Sequence, residues 1–366
     1  MRKNILIEAY TASNLGDDLF IKILCERYPY TNFYLACKKK YSEAFINIPN
    51  LEIISPIPYI DTVLSKIKVG FSVNEFIRRK KMKKYDAVVH IGGSIFMQIG
   101  NWKKRVEYLH TTNTIYNIPS FFIGCNFGPF VDQKFYDDYK NVFSEAADIC
   151  FRDSYSYELF KEIPNVRLAP DVVFSLSDAE GVESQNTVVI SVIDLENRVK
   201  LKPYKVDYVN KITEIAKEFI KNDYNVNFIS FCEAEGDEQT IKEIMNELDS
   251  SEKKYIDAFY YKGDINKALS VIKKSQYVIS TRFHAMILGW KYNKIVYPLI
   301  YSDKTYNVIK DTNFLNGYTW IENIRELDVS NLFKQVTNAT PHVIDNEVRN
   351  SEEHFSVLDA FINKVE

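Results

Sequence analysis

The sequence predicts an α/β protein built from two doubly wound domains with a ligand cleft between them. Three observations point there. Short apolar runs alternate with segments of helical spacing along the chain, which implies parallel sheets covered by helices on both faces. A polar, aperiodic stretch at 177–186 divides the series in two. The 366 residues are enough for two separate cores, given about 150 residues per domain.

The elements follow in order. Met1-Arg2-Lys3 has the charge of a signal-peptide start, but the apolar run after it breaks at Ser13-Asn14-Leu15-Gly16-Asp17-Asp18. Residues 4–8 are therefore expected to be a first strand and 14–18 a loop, with Leu19, Phe20, Ile21, Ile23 and Leu24 opening a helix. Further strands are expected at 33–36, 51–54, 87–91, 120–124, 149–152 and 166–168. The second series has strands at 187–193, 226–231, 256–261, 277–280 and 295–299, with helices at 209–221 and 238–248 among them. This gives domains at 1–178 and 187–340 and a tail at 341–366, whose helical run at 355–362 is expected to pack back on the first domain.

Composition narrows the function. A net charge of −3 gives no broad nucleic-acid-binding surface. The five cysteines are scattered and never in C-x-x-C spacing, which argues against a disulfide framework or a structural zinc and for a reducing compartment. No stretch approaches the about 18 apolar residues of a membrane span. A cytoplasmic protein without a metal or resident cofactor is expected. The 25 tyrosines and 24 phenylalanines read first as core filling. The basic run Arg78, Arg79, Lys80, Lys81, Lys83 and Lys84 reads as a solvated helix face. Its secondary reading is peripheral attraction to the anionic inner face of a membrane.

Chemistry-bearing residues gather where strands end, the edge of such sheets that faces ligand. Ser280-Thr281-Arg282-Phe283-His284 closes the strand at 277–280, and Lys304 follows the next strand. An Arg, a His and a Lys on neighbouring strand ends, beside a helix N-terminus, suit a small and highly charged anion. Arg152 closes the strand at 149–152; it reads either as a surface pair with Asp153 or as a clamp on a carboxylate. Asn14, Asp17 and Asp18 lie on the first strand-to-helix loop, where Gly16 makes the turn. One aspartate there caps the helix or accepts a proton from a substrate hydroxyl. Gly92 and Gly93 let backbone approach a ligand or pack helix on strand, and Asn126 follows the strand at 120–124. Cys125 reads as a small buried residue.

Taken in order, Ser13-Asn14-Leu15-Gly16-Asp17-Asp18, Gly92-Gly93-Ser94, Gly124-x-x-x-Gly128-Pro129, Arg152-Asp153, Ala169-Pro170-Asp171 and Arg282-Phe283-His284-Ala285 resemble the polysaccharide pyruvyl transferase family. The chain departs from the family pattern at Ile91, where a third glycine is usual, and at Asp18, where glutamate is common. The resemblance implies a GT-B-like pair of Rossmann-like domains. It also implies transfer of a pyruvyl group from phosphoenolpyruvate, a co-substrate, onto a sugar of a polysaccharide precursor as a cyclic ketal, with release of phosphate. Arg152, Arg282, His284 and Lys304 match the family's donor site and are expected to meet around one pocket between the two domains, with His284 the expected proton-transfer group. Asn14, Asp17, Asp18, Gly92, Gly93 and Asn126 are expected beside the acceptor sugar, carried on a lipid, with Asp17 against its hydroxyls. Two alternatives stand: a nucleotide-sugar glycosyltransferase of the same fold, and a non-catalytic glycan-binding protein.

Overall fold

The computed structural model describes residues 2–54, 82–177 and 183–364. They fall into two compact units: Met1–Thr11, Phe20–Val172 and Asn350–Glu366 form the first, and Ala12–Leu19 with Val173–Arg349 the second.

Among the described residues of the first unit, seven strands form one sheet. They are β1 (Asn4–Glu8), β2 (Asn32–Ala36), β3 (Leu51–Ile54), β4 (Ala87–Ile91), β5 (Ser120–Cys125), β6 (Asp148–Phe151) and β7 (Val166–Leu168). Their order is β3-β2-β1-β4-β5-β6-β7 and every pairing is parallel. The strands β4, β5 and β6 are buried along their whole length, which is why they read as unbroken apolar runs rather than alternating ones. The helices are α1 (Leu15–Arg27), whose first residues group with the second unit, then α2 (Trp102–His110), α3 (Gln133–Glu145) and α4 (Ser154–Phe160). Aromatic residues fill the core beneath α3: Phe96 and Phe143 meet edge to face at 4.9 Å, and Phe127 and Phe160 at 4.7 Å.

In the second unit the strands are β8 (Thr187–Ser191), β9 (Asn225–Ser230), β10 (Ile256–Tyr260), β11 (Tyr277–Ser280), β12 (Ile295–Ile300) and β13 (Thr319–Trp320). The order is β10-β9-β8-β11-β12-β13, again parallel throughout. Its helices are α5 (Lys205–Lys221), α6 (Asp237–Asn246), α7 (Ile265–Lys274), α8 (Phe283–Lys291), α9 (Asp303–Asp311), α10 (Val329–Asn338) and α11 (Asp345–Ser351). On α5, Tyr208, Ile212, Ile215 and Phe219 make a helical-period stripe in the core that holds Val188, Ile190 and Phe228.

The tail helix α12 (Ser356–Asn363) belongs to the first unit. Arg27 grips Asp359 with Nε at 3.1 Å and Nη2 at 2.7 Å, the Tyr28 hydroxyl donates to the same carboxylate at 2.7 Å, and Phe361 packs on Phe121.

The start of α1 differs from the sequence expectation through local hydrogen bonding, and the starts of α4 and α8 set Arg152 and Arg282 just ahead of them. Helix α1 starts at Leu15, within the expected loop, because the Asn14 side chain accepts the Gly16 N–H at 3.1 Å and Asp17 and Asp18 suit the first turn. Helix α4 starts at Ser154, since Asp153 caps it through the Ser156 N–H at 2.8 Å. Helix α8 starts at Phe283, so Arg282 is its N-cap position and His284 lies in its first turn. The two-residue β13 is too short for any periodicity to announce it.

Candidate functional site

The chemistry of the second unit centres on the end of β11. The strand end is pinned to β8: the Thr281 N–H donates to the Ser191 carbonyl at 3.1 Å and the Arg282 N–H to Ser191 Oγ at 3.2 Å. The hydroxyls of Tyr208 and Thr281 share a hydrogen bond of 2.8 Å behind it. This support sends the Arg282 side chain toward the loop after β9, where Asp237 Oδ2 accepts from Nε at 2.9 Å, Asp237 Oδ1 from Nη2, and Glu235 from Nη1 at 2.6 Å. The Arg282 side chain is only 7% exposed and that of Asp237 fully buried. Arg282 is thus the centre of a buried ion network rather than an open clamp.

Around it the charges are balanced. Arg198 also reaches Glu235, at 3.0 Å, and its guanidinium lies 4.8 Å from the Tyr301 ring centroid. Burial opposes the charge of Glu235, but the charge and hydrogen bond of Arg282, together with the charges of Arg198 and Lys304, hold that carboxyl below its usual range. Burial likewise raises the Tyr301 phenol, yet Lys304, Arg282 and Arg198 together pull it below the ordinary tyrosine value. Lys304, half-buried on α9, has its Nζ 5.9 Å from the Phe283 ring.

His284 meets the start of α1. A Cβ on Gly16 would lie 1.8 Å from His284 Nδ1, so the imidazole occupies the space a side chain would take. The sequence placed Asn14, Asp17 and Asp18 in the first domain with the glycine pair. Here residues 12–19 group with the second unit instead, because the Leu15 N–H donates to the Phe231 carbonyl at 3.0 Å and the Tyr261 hydroxyl to Asp18 Oδ2 at 2.6 Å. Asp18 is fully buried, and burial, with Asp17 adding to it, pushes its pKa up to about 7. Asp17 is half-buried beside it.

In the first unit the corresponding feature is Arg152, just past β6. Its Nη1 donates to Asp171 Oδ2 at 2.9 Å and its Nη2 to Asn126 Oδ1 at 2.8 Å, with its side chain 2% exposed. Neither surface pairing with Asp153 nor an open clamp describes it. Gly93 is its seat: a Cβ there would lie 2.3 Å from Nη2. The Gly93 carbonyl accepts the Asn126 N–H at 2.8 Å, and Ser94 Oγ donates to Asn126 Oδ1 at 3.2 Å. Gly92 precedes it at the end of β4. From the tail, His354 Nε2 donates to the carbonyl of Pro170, the neighbour of Asp171, at 2.7 Å.

So Gly93, Asn126 and Arg152 come together in the first unit, and in the second the Asn14–Asp18 turn meets His284 at Gly16, next in the chain to the Arg282 cluster. Sequence reasoning missed Glu235, Asp237, Tyr261 and Tyr301. The acids had a signal: Glu233, Glu235 and Asp237 crowd a strand-to-helix turn after β9. Of the basic run, Arg78, Arg79, Lys80 and Lys81 lie outside the described residues, and Lys83 and Lys84 are exposed. Among the described residues no helix is long and apolar enough to cross a membrane, and no group of three His, Cys, Asp or Glu is placed to hold a metal.

Comparison with known proteins agrees with this architecture. The polysaccharide pyruvyl transferase family matches residues 12–303. The amylovoran biosynthesis protein AmsJ of Erwinia amylovora is 23% identical over 266 residues, covering 66% of this chain and 63% of that protein's length. Among solved structures, a UDP-GlcNAc 2-epimerase of Neisseria meningitidis bound to UDP-GlcNAc superposes with a TM-score of 0.60 at 10% identity over 100% of both chains. HepE of Anabaena in complex with UDP and glucose does so at 0.56 and 10% identity, over 99% of this chain and 97% of its own. At such identities the structures establish a shared GT-B-like fold alone. With the family matched across most of its length, including the Asn14–Asp18 turn, Arg152 and the Arg282-x-His284 pair, the chain belongs to the polysaccharide pyruvyl transferase family.

Proposed function

We propose that this protein transfers the pyruvyl group of phosphoenolpyruvate to a sugar of a polysaccharide precursor, forming a cyclic ketal and releasing phosphate. The observation that carries the reading is the contact between His284 and Gly16, which joins two sequence motifs far apart in the chain at one spot in the second unit. Arg282 precedes His284 in the chain, and Arg198, Arg282 and Lys304 together act by charge on the nearby Tyr301 phenol. Phosphoenolpyruvate, with a carboxylate and a phosphate on three carbons, suits such a cluster.

In this reading His284 delivers a proton to the methylene carbon of the donor, and the central carbon becomes oxocarbenium-like. A sugar hydroxyl adds there and gives up its proton, with Asp17 the nearby acceptor. The C–O bond to phosphate breaks, its electron pair leaving with the phosphate. A second hydroxyl of the same sugar then closes the ring, and its proton leaves with the phosphate. Lys304 stabilises the departing phosphate. Because carboxylates already hold Arg282 and Arg152, these arginines contribute a fixed positive field rather than full bidentate clamps. A lipid-linked acceptor and peripheral membrane contact through 78–84 complete the proposal.

The test is to incubate the purified protein with phosphoenolpyruvate and a panel of lipid-linked and nitrophenyl hexosides. A mass gain of one pyruvylidene unit with equimolar phosphate supports the reading. Binding and turnover of a UDP-, GDP- or CMP-sugar, with no response to phosphoenolpyruvate, would replace it with the glycosyltransferase reading.

A further inference from the structure

The guanidinium best placed to receive an anion in the second unit is not the one the sequence singled out. Arg282 commits Nε, Nη1 and Nη2 to Asp237 and Glu235, and its side chain is only 7% exposed. Arg198, on the loop after β8, is committed on one side only. Its Nε donates to the Asp194 carbonyl at 3.2 Å and its Nη2 to Glu235 at 3.0 Å, which leaves Nη1 without a partner among the described residues. The Arg198 side chain is 30% exposed. A guanidinium anchored through two nitrogens and open through the third is held in place and still has donors to give a ligand.

Two further groups stand beside it. The Arg198 guanidinium lies 4.8 Å from the centre of the Tyr301 ring, and Tyr301 and Lys304 flank the start of α9. Both are half-buried, and neither the Tyr301 hydroxyl nor Lys304 Nζ makes a hydrogen bond or ion pair among the described residues. Ser302, the N-cap of α9, gives its side chain to no backbone amide, so the positive end of the helix adds to the same turn. Carboxylates do not cancel this set. Glu235 and Asp237 accept from Arg282, and the Asp194 carboxylate is turned to the Glu196 N–H and to Asn197 Nδ2, each at 2.9 Å. The Tyr301 phenol reports the balance: burial raises it, yet the cations lower it despite Glu235. A guanidinium, an ammonium and a hydroxyl supply the donors that phosphoryl oxygens accept.

We infer that Arg198, together with Lys304 and the Tyr301 hydroxyl, holds the phosphoryl group of the donor, while Arg282 braces the acidic turn behind it. That the phosphoryl group is that of phosphoenolpyruvate rests on the pyruvyl-transfer reading; the phosphate site itself is testable without it.

The experiment titrates the full chain with phosphoenolpyruvate, inorganic phosphate and UDP by calorimetry at fixed ionic strength. Wild-type protein should bind phosphoenolpyruvate, and Arg198→Gln should weaken that binding by about tenfold or more, Tyr301→Phe by a smaller factor. Arg198→Lys keeps the charge but loses the fork; it should fall between wild type and Arg198→Gln, and it supplies the comparison if Arg198→Gln melts early. Glu235→Gln separates contact from support. If Arg198 touches the anion, removing that carboxylate leaves phosphoenolpyruvate affinity equal or higher. If Arg198 only steadies Glu235 and Arg282, Glu235→Gln weakens binding as much as Arg198→Gln does, and the inference falls. Equal phosphoenolpyruvate affinity in wild type and Arg198→Gln also overturns it, and leaves the pyruvyl-transfer reading standing. Inorganic phosphate or UDP bound in an Arg198-dependent way, with no binding of phosphoenolpyruvate, sinks the proposed reaction and leaves the phosphate site standing. Wild-type protein that binds none of the three overturns both.

Discussion

Asp237→Ala should be the most damaging single substitution in the second unit. Asp237 is fully buried and accepts four hydrogen bonds: two from Arg282, and the N–H groups of Phe231 at 2.8 Å and Cys232 at 3.0 Å. Removing it leaves a guanidinium with Glu235 alone and strands two buried backbone donors. Breaking one side of a buried pair costs about 3–5 kcal/mol. At about 2–4 °C per kcal/mol for a unit of this size, the melting transition should fall by roughly 6–20 °C. Calorimetry reads that shift directly. Adding Arg282→Met to the same chain removes the orphaned charge and should recover part of the loss. A single variant melting within about 2 °C of wild type would refute the argument, because a truly buried pair cannot be halved so cheaply.

Other outcomes follow from the same geometry. Gly16→Ala should favour helix α1 by about 1 kcal/mol on propensity alone, yet its methyl collides with His284 at 1.8 Å. Transfer activity should drop by about 10²-fold without loss of stability, and a fully active, well-folded variant would show that His284 is not needed where it stands. Gly93→Ala should instead lower both activity and melting temperature, because its methyl would displace the buried Arg152 guanidinium from Asp171 and Asn126. His354 is buried, and burial first, with the charges of Arg167 and Arg152, brings its pKa down to about 3. The unfolded chain binds the proton at about pH 6.5, so the stability of the first unit is full above that value and falls as pH drops toward the folded pKa. Between pH 6.5 and 5 that amounts to at most about 2 kcal/mol, and His354→Gln should melt with a flatter pH profile over this range. Asp359 is opposed by burial but held below its usual pKa by the hydrogen bonds of Arg27 and Tyr28. Its contribution is present above the unfolded value of about 3.9 and is lost as pH falls through the lower folded one. Being one-third exposed it is worth about 1 kcal/mol. Asp359→Asn should therefore speed proteolysis of the tail at neutral pH, and unchanged cleavage would argue against docking through this pair.

Much was legible in the chain itself. The strands β4 and β11 lie where their apolar runs lie, because a strand buried on both faces must be apolar along its length; β1 and the partly exposed edge strands β3 and β7 also lie where expected. Strand ends placed Arg152, Arg282 and Lys304 just past the carboxyl ends of β6, β11 and β12. The first turns of α1, α4 and α8 were harder, since capping depends on which side chain folds back on the backbone.

What periodicity could not reveal was company. Gly16 read as a turn former and Gly93 as a point of close backbone approach or helix packing, and only the folded chain shows that each is small because an imidazole or a guanidinium occupies the vacant Cβ space. Arg152 and Arg282 read as open cations, whereas Asp171 and Asp237 hold both in buried pairs. Local sequence sets which residues a strand or helix contains and which edge they reach. Contacts between residues far apart in the chain are set by packing, and packing alone brought the Asn14–Asp18 turn to His284.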